Sequence, residues 1–269
     1  MHAKNATDGK SGHLRQHKTI ETIIQSTELP PIVSIVRLQS TEVPVLLPTS
    51  KPKLNDIRTL LGQSTVLLVI CSSRPEYLQR SLSYIVKYHP GESLPIIISQ
   101  DGRDERVVNV INEAKKALID RGLSSVSFTH ITHDNSADFN PDGYYRLCSH
   151  YKFALSSVFA SSVRVKRVII LEEDLHISPD FFEFFASTVN ILDDDPSLLG
   201  VSAWNDNGMS KLVRDEKQLY RSDFFPGLGW MMNRRVWEEL APKWPKAVSK
   251  YIYIYFLNTL SQLHAASPI

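Results

Sequence analysis

The sequence predicts an α/β fold in which a mostly parallel sheet is covered by helices on both faces. One observation is the alternation of short apolar, β-branched runs with longer segments of helical periodicity between residues 64 and 194. Another is that the apolar runs are nearly continuous, which is typical of strands buried on both faces. Strands that alternate with helices at this spacing favour a parallel sheet.

The first two strand–helix units extend over residues 65–121. Residues 65–71 (TVLLVIC) are the first predicted strand. Pro75 opens the helix that follows, since the first turn of a helix needs no hydrogen-bonded N–H at that position. Residues 94–99 are the second predicted strand, and residues 104–121 repeat apolar side chains at helical spacing. Gly122 then suits a helix stop.

Two further units follow in the same pattern. Residues 125–131 and 168–171 are predicted strands, with a helix over 144–159 between them. The Ser-Pro-Asp run at 178–180 begins another helix. Open sheets of this kind bind ligands beyond the carboxyl ends of their strands. The residues that follow each strand are therefore the candidates for a site.

Length and composition exclude several classes of protein. The chain has 269 residues, of which 42% are hydrophobic and 22% charged, and its net charge is +1. These values predict neither wholesale disorder nor a nucleic-acid-binding surface. The longest apolar runs fall well short of the roughly 20 residues that cross a bilayer. We divide the chain into a polar stem or linker at 1–62, a folded domain at 63–247 and an unrelated tail at 248–269.

Three adjacent carboxylates, Glu172, Glu173 and Asp174, follow the strand 168–171. Carboxylates crowded at the end of a buried strand repel one another and are costly to desolvate without a cation. A divalent ion such as Mn²⁺ or Mg²⁺, holding a diphosphate, would remove that cost because it takes oxygen ligands and few of them from the protein. The alternative is a solvated acidic loop. A second acidic run, 193–195, is interpreted as a solvated turn.

Arg74 and Asp101 follow the first two predicted strands. An arginine there can pair with a phosphate or a base carbonyl, and an aspartate can accept a hydrogen bond from a uracil N–H. An ordinary loop ion pair is the alternative for each. His150 lies among apolar residues of a helix, where a buried core histidine is the alternative to a ligand contact. Trp204 and Trp230 are interpreted as packing residues.

Several common constellations are missing from the sequence. No G-x-G-x-x-G or Walker-type glycine pattern is present, so a nicotinamide-dependent oxidoreductase lacks support. No G-x-S-x-G is present either, which disfavours a hydrolase elbow. A nucleotide site here would therefore depend on carboxylates and a metal. The two cysteines, Cys71 and Cys148, show no metal-ligand spacing. They are either two free thiols or one disulfide.

Several long strings resemble the N-acetylglucosaminyltransferase I family of Golgi glycosyltransferases. They are VIILEEDLHISPD (168–180), VSAWNDNG (201–208), LYRSDFFPGLGW (219–230) and EELAPKWPK (238–246). The resemblance covers about 64–247 and implies a nucleotide-diphospho-sugar transferase fold of the GT-A type. It further implies inverting, Mn²⁺-dependent transfer of GlcNAc from UDP-GlcNAc to the 2-hydroxyl of an α-1,3-linked mannose on a protein N-glycan. The related enzyme that acts on O-mannosyl glycans shares much of the pattern and is the alternative.

The resemblance also implies roles for individual residues. Asp174 would coordinate Mn²⁺, and Glu173 would contact the nucleotide sugar at a position where N-glycan members usually have Asp. The other donor contacts it implies are Arg74 and Asp101 at the uridine, His150 at the donor and Leu228 in the GlcNAc pocket.

The resemblance ends at Ala247, and residues 248–269 (VSKYIYIYFLNTLSQLHAASPI) depart from the family pattern. We therefore expect a domain that is incomplete at its carboxyl end, with the general base beyond Ala247 and not identifiable in this chain. A nucleotide-sugar-binding remnant without turnover is accordingly an alternative function. The sequence shows no signal or membrane anchor, so a Golgi location and attachment to its membrane are implied by the resemblance alone.

Overall fold

The computed structural model describes residues 33–37 (backbone only), 52–62, 64–91, 93–134, 143–206, 208–209, 211–213, 215, 219–222 and 227–244. The strands in chain order are β1 Val33–Arg37, β2 Thr65–Cys71, β3 Ile96–Asp101, β4 Phe128–His133, β5 Arg167–Glu172, β6 Leu198–Ser202, β7 Leu219–Ser222 and β8 Trp230–Asn233. The helices are α1 Leu54–Leu61, α2 Pro75–Tyr88, α3 Glu105–Asp120, α4 Gly143–Ser161, α5 Phe181–Asp194 and α6 Arg234–Leu240, with a 3₁₀ turn at Ala241–Lys243.

The described strands form one sheet in the order β4-β3-β2-β5-β8-β6-β1-β7. β4, β3, β2 and β5 are parallel neighbours, and β8 runs antiparallel between β5 and β6. β6 consequently points the same way as β2–β5, so that the carboxyl ends of all five strands lie at one end of the sheet. We call this the carboxyl end of the sheet. The predicted α/β class with a mostly parallel sheet is confirmed.

Helices cover both faces of the sheet, as predicted. Every residue of β2 is buried, and successive side chains point to opposite faces. Leu67 and Val69 pack with α1, α2, α3 and α5, whereas Val66 and Leu68 pack with α4 and α6. Each fully buried aliphatic side chain contributes about 1.5–3 kcal/mol. The two apolar layers fix the central strands and hence the position of their carboxyl ends.

Local signals set the ends of the helices next to that sheet. Pro75 is the first residue of α2, and the Asp104 carboxylate caps α3 by accepting a hydrogen bond from the Arg106 N–H at 2.9 Å. Gly122 follows α3 with a φ of +80°, which favours glycine. β4 differs from the prediction 125–131, because it extends to His133. It is an outer strand of the sheet with partly exposed side chains, so its apolar pattern is weak.

The folded part begins before the predicted boundary at residue 63. β1 pairs with β6 and β7, and α1 packs on α5 with Ile57 and Leu61 buried. The stem assignment 1–62 therefore includes two elements of the fold. It rested on the prolines and on the lack of sustained periodicity, and α1 has only 8 residues in which to show any. Residues 1–32 and the tail at 248–269 lie outside the described residues.

The aspartates at the end of α5 correct another prediction. Asp193 and Asp194 are both exposed and Asp195 is half-buried. Asp193 nevertheless pairs with Arg167 at 2.6 Å and Asp195 with Arg221 at 2.7 Å, because both arginines lie on strands of the sheet near the end of α5. The predicted solvated turn at 193–195 therefore omits two ion pairs. No helix in the described ranges has the length and apolar character needed to cross a membrane.

Candidate functional site

A cleft of about 720 Å³ opens at the carboxyl end of the sheet, where β2, β3 and β5 end beside the start of α4. Four of the predicted site residues line it: Arg74, Asp101, His150 and Glu173. Asp174 lies beside the cleft, with its carboxylate 3.1 Å from the Arg74 guanidinium. The topology explains why these residues lie together. β2 is paired with both β3 and β5, so the loop that follows β2 lies between the loops that follow β3 and β5.

Glu172 lines the cleft and is bonded to α4 through one of its two carboxylate oxygens. Its Oε1 accepts a hydrogen bond of 2.6 Å from the Tyr151 hydroxyl. Burial, only partly offset by that hydrogen bond, raises the pKa of Glu172 above its ordinary value. The first carboxylate of the acidic triplet is therefore held within the wall of the cleft.

Glu173 is buried, with 3% of its surface exposed. Its carboxylate is hydrogen-bonded to two residues of the loop that follows β2. Its Oε1 accepts a 2.6 Å hydrogen bond from Nε of Arg74, and its Oε2 accepts a 2.9 Å bond from the Ser72 N–H. The Arg74 side chain is half exposed and also lies over the Tyr77 ring. Glu173 thus fixes the guanidinium at the entrance of the cleft while part of it stays in contact with solvent.

Asp174 is the most exposed carboxylate of the triplet, at 36% of its side chain. Among the described residues, no group of three or more His, Cys, Asp or Glu side chains is arranged to hold a metal on its own. A divalent ion here would take one oxygen from Asp174 and complete its coordination with phosphate oxygens and water, as Mg²⁺ and Mn²⁺ commonly do. The residues present therefore fit such an ion only together with a phosphate-bearing ligand.

A second polar group joins the ends of β3 and β4. Asp101 and His133 are direct partners in the sheet register, and the Nδ1–H of His133 donates to Oδ1 of Asp101 at 2.8 Å. The His133 ring stacks on the His150 ring with centroids 5.4 Å apart. The result is an aspartate that is held by an imidazole and lines the cleft.

His150 combines the two alternatives that the sequence left open. It is 2% exposed, and its Nε2 shares a 2.9 Å hydrogen bond with the hydroxyl of Ser99. Burial lowers its pKa to about 4, although the nearby Asp101 carboxylate opposes that shift. His150 is therefore a neutral core histidine that also contributes to the wall of the cleft.

Leu228, Trp230 and Trp204 lie further along the carboxyl end of the sheet. Leu228 is 39% exposed in the turn before β8 and is not among the residues that line the cleft. Trp230 is buried, as the packing interpretation requires. That interpretation is wrong for Trp204, which is 44% exposed because it follows β6 at the surface.

Both cysteines are buried free thiols, so the disulfide alternative does not hold. The Cys71 thiol donates to the Ser99 carbonyl at 3.5 Å, and burial raises its pKa well above the ordinary value. Cys71 is thus a buried residue in the wall of the cleft.

The sequence analysis missed three contributors to this site. Ser72 acts through its backbone N–H, which carries no residue-type signal. Tyr151 falls within the predicted helix 144–159, where its hydroxyl gives no signal of a partner. His133 falls after the predicted strand 125–131, although its position at the end of a strand parallel to β3 places it at the same end of the sheet as Asp101. A correct boundary for β4 could have found it.

The sequence matches place the chain in a family of glycosyltransferases. More closely, the chain belongs to the GNT-I family, whose family model matches residues 35–251. The resemblance found in the sequence is confirmed, and it extends further in both directions than the predicted 64–247.

Two similar proteins illustrate the comparison. The chain is 39% identical over 199 residues to an alpha-1,3-mannosyl-glycoprotein 2-beta-N-acetylglucosaminyltransferase from Arabidopsis thaliana. That match covers 69% of this chain and 41% of the relative, so the chain spans less than half of the relative's length. A solved mannosyltransferase from Pyrobaculum calidifontis, in complex with GDP-Man and Mn²⁺, is similar at a TM-score of 0.45 and 13% identity. That likeness covers 65% of this chain and 46% of the other.

Proposed function

We propose that this chain binds UDP-GlcNAc with Mn²⁺ in the cleft and transfers GlcNAc, with inversion, to the 2-hydroxyl of an α-1,3-linked mannose of a protein N-glycan. The observation that carries the proposal is that two carboxylates of the acidic triplet have different roles. Glu173 holds Arg74 in place, while Asp174 keeps a partly exposed carboxylate beside it. Membership of the GNT-I family and the name of the Arabidopsis relative support the transfer of GlcNAc to mannose.

Asp101 is the proposed contact for the base of the nucleotide. With His133 donating to one oxygen, the carboxylate has a fixed orientation and acts as an acceptor. A uracil presents an N–H that can donate to it, whereas cytosine presents a ring nitrogen with a lone pair at the same place. A site built around a polar contact rejects a ligand that leaves it unpaired. Asp101 therefore favours a uridine nucleotide.

Arg74 and Asp174 are the proposed contacts for the diphosphate. Arg74 uses Nε for Glu173, and its Nη1 lies 3.1 Å from Asp174, so the guanidinium is positioned to pair with phosphate oxygens. Asp174 would hold the metal ion through its carboxylate. When bound, Mn²⁺ would supply Lewis-acid stabilisation of the charge that develops on the UDP leaving group. Leu228 would contact the transferred GlcNAc.

The proposal also includes a general base and a cellular location, neither of which is part of the cleft. An inverting transfer needs a general base for the acceptor hydroxyl, and we place that base beyond Ala247. We place the activity in the Golgi lumen, which is where the family acts on glycoproteins. Attachment to the Golgi membrane would need an anchor other than the described helices.

Titration calorimetry with UDP-GlcNAc, in the presence and absence of Mn²⁺, tests the donor site. We expect binding that depends on Mn²⁺ and that weakens at least tenfold in Asp174→Asn. Asp120→Asn, an exposed carboxylate in the last turn of α3, is the matched control and should bind as the unmodified chain does. Equal binding by the two variants would remove Asp174 from the metal site.

Transfer itself needs a separate assay. Radiolabelled GlcNAc should appear on a mannose-terminated N-glycan acceptor when the chain, UDP-GlcNAc and Mn²⁺ are mixed. Donor binding without any transfer would make the chain a nucleotide-sugar-binding remnant. Transfer to an O-mannosyl acceptor in preference to the N-glycan would change the assigned substrate.

A further inference from the structure

Trp204 is a surface tryptophan whose ring is held in one orientation. It is 44% exposed, whereas Trp230 and Trp237 are 7% and 6% exposed. Its indole N–H donates to Oδ1 of Asp206 at 2.9 Å, and its backbone N–H donates to the Ser202 hydroxyl at 3.1 Å. A large apolar ring is thus fixed at the surface without being packed into the core.

Leu228 lies at the same end of the sheet as Trp204, in the turn that leads into β8. The ladder between β6 and β8 continues past Ser202, because the Ala203 N–H donates to the Gly229 carbonyl at 2.8 Å. Trp204 and Leu228 are the neighbours of these two residues, and Leu228 is 39% exposed. The turn depends on Gly229, which has a φ of +69° and where a Cβ would come within 3.4 Å of the Leu171 and Phe181 side chains.

The order of the strands places this pair on the far side of the acidic triplet from Asp101. Ile170 of β5 and Ser202 of β6 both pair with Trp230 of β8, so the three strands are in register across the sheet. Neighbouring strands are about 4.8 Å apart, which puts β6 about 10 Å from β5. Across the carboxyl end of the sheet the order is Asp101, Arg74, Asp174, Leu228 and Trp204.

This order matches the order of groups in the proposed reaction. The base lies at Asp101 and the diphosphate at Arg74 and Asp174, so the sugar that leaves the diphosphate extends toward Leu228. The next position along the sheet, at Trp204, is the one that the acceptor must occupy. A pyranose ring carries its hydroxyls at the rim and presents C–H groups on its face, which suits contact with a flat aromatic side chain. The Asp206 carboxylate beside the indole can accept hydrogen bonds from the hydroxyls of such a ring.

We infer that Trp204, together with Asp206, forms the platform on which the mannose residues of the acceptor glycan lie, next to the position of the transferred GlcNAc at Leu228. The inference rests on the proposed function for the identity of the sugar. It adds a binding site on β6 and its exit loop to the nucleotide cleft on β2, β3 and β5.

Fluorescence of the unmodified chain gives the first test, because Trp204 is exposed whereas the other three tryptophans, Trp230, Trp237 and Trp244, are buried or half-buried. With UDP and Mn²⁺ present, a mannose-terminated oligosaccharide should protect the emission from quenching by acrylamide and shift it to shorter wavelength. UDP-GlcNAc and Mn²⁺ without oligosaccharide should leave the quenching unchanged. Protection by the donor alone would assign Trp204 to the donor sugar and overturn the inference, as would a lack of any oligosaccharide binding.

Variants give the second test, with oligosaccharide affinity measured by calorimetry in the presence of UDP and Mn²⁺. Trp204→Ala should weaken oligosaccharide binding about tenfold, whereas Trp204→Tyr, which keeps an aromatic face, should stay within about threefold. Val163→Ala removes a more exposed apolar side chain outside the cleft and should change nothing. Oligosaccharide binding that is as tight in Trp204→Ala as in the unmodified chain would overturn the inference.

UDP binding by the same samples separates this inference from the proposed function. Unchanged Mn²⁺-dependent UDP binding in Trp204→Ala shows that the variant is folded and that its loss is confined to the glycan. Failure of the unmodified chain to bind UDP would instead remove the proposed donor site.

Discussion

Two cavities of this protein contain the same kinds of side chain and differ in what those side chains are bonded to. The smaller one, of about 250 Å³, lies between α1, the ends of α2 and α3, and the start of α5. Arg58 and Arg121 line it, but they donate to backbone carbonyls that follow or end α2, those of Pro90 and Val86, at 2.7 and 2.6 Å. In the cleft, by contrast, Arg74 is bonded to carboxylates.

The difference separates a structural arginine from one that can bind a ligand. Carbonyls at the end of a helix need donors, and the arginines of the smaller cavity supply them as part of the fold. A carboxylate beside an arginine can exchange that partner for a metal ion while the arginine turns to a phosphate. Cavity volume alone would not distinguish these two uses.

Each of the two cavities also contains a buried histidine with a lowered pKa. His89 and His150 are 1% and 2% exposed, and burial lowers the pKa of each to about 4. An unfolded histidine binds a proton below a pH of about 6.5. Between these values the unfolded state holds more protons, so the free energy of unfolding falls as the pH falls from about 6.5 to about 4.

The largest expected effect is therefore an acid destabilisation shared by both cavities. Each histidine makes a pH-dependent contribution of about 3 kcal/mol to the free energy of unfolding. That contribution is fully present above pH 6.5 and is lost as the pH falls to about 4. Urea denaturation at pH 7.5, 6 and 5 measures it. His89→Asn and His150→Asn should each flatten the dependence by a similar amount, and only His150→Asn should alter UDP binding. An unchanged pH dependence in either variant would contradict a buried neutral histidine at that position.

A smaller effect distinguishes the arginines. Arg74→Met leaves the Ser72 N–H as the donor to the buried Glu173 carboxylate. The variant should lower the free energy of unfolding by about 2 kcal/mol, a modest loss because solvent screens the half-exposed Arg74. It should also weaken UDP binding at least tenfold. Arg58→Met should cost about 1 kcal/mol and leave UDP binding unchanged. Urea denaturation and calorimetry give the two quantities.

A double variant separates stability from binding in this comparison. Removing both members of a buried pair is close to neutral for stability, so Arg74→Met with Glu173→Gln should regain most of the lost free energy of unfolding. UDP binding should stay weak, because the guanidinium is still absent. Recovery of UDP binding in the double variant would show that Arg74 acts only by neutralising Glu173.

The central strands and helices could be predicted from the sequence because their signals are local. The β2 prediction 65–71 agrees with the structure residue for residue, and Pro75 begins α2 as expected. β8 has only 4 residues, too few to show a period, and lies between β5 and β6 through pairing that is distant in sequence. Its place in the sheet could not be predicted without the topology.

The position of the site could be predicted from the sequence, but the contacts between its side chains could not. The rule that ligands bind beyond the carboxyl ends of strands selected Arg74, Asp101 and the acidic triplet. Which carboxylate binds the arginine and which stays exposed depends on contacts between residues 99 apart in the chain, such as Arg74 with Glu173. No spacing in the sequence encodes that choice.

The smallest expected effect concerns His133, which we propose positions Asp101. His133→Phe keeps an aromatic ring next to His150 but removes the N–H that donates to Asp101. Loss of one such hydrogen bond costs about 1 kcal/mol, so UDP affinity should fall about fivefold and the preference for UDP over CDP should narrow. Competition binding with the two nucleotides measures both.

A matched change on the same strand serves as its control. His130→Phe, three residues earlier on β4, should leave both nucleotide affinities unchanged, and His133→Asn, which keeps a donor group, should restore part of the preference. An unaltered UDP to CDP ratio in His133→Phe would show that Asp101 needs no help from the imidazole.

The pairing of β1 with β6 and β7 has a consequence for how the protein is made. β1 leaves the ribosome before the other described strands, yet its partners at Leu198–Ser202 and Leu219–Ser222 are synthesised more than 160 residues later. Contacts of such sequence separation slow folding because a long loop must close first. The nascent chain can assemble β2–β5 early, whereas β1 can join the sheet only after β6 and β7 have been synthesised.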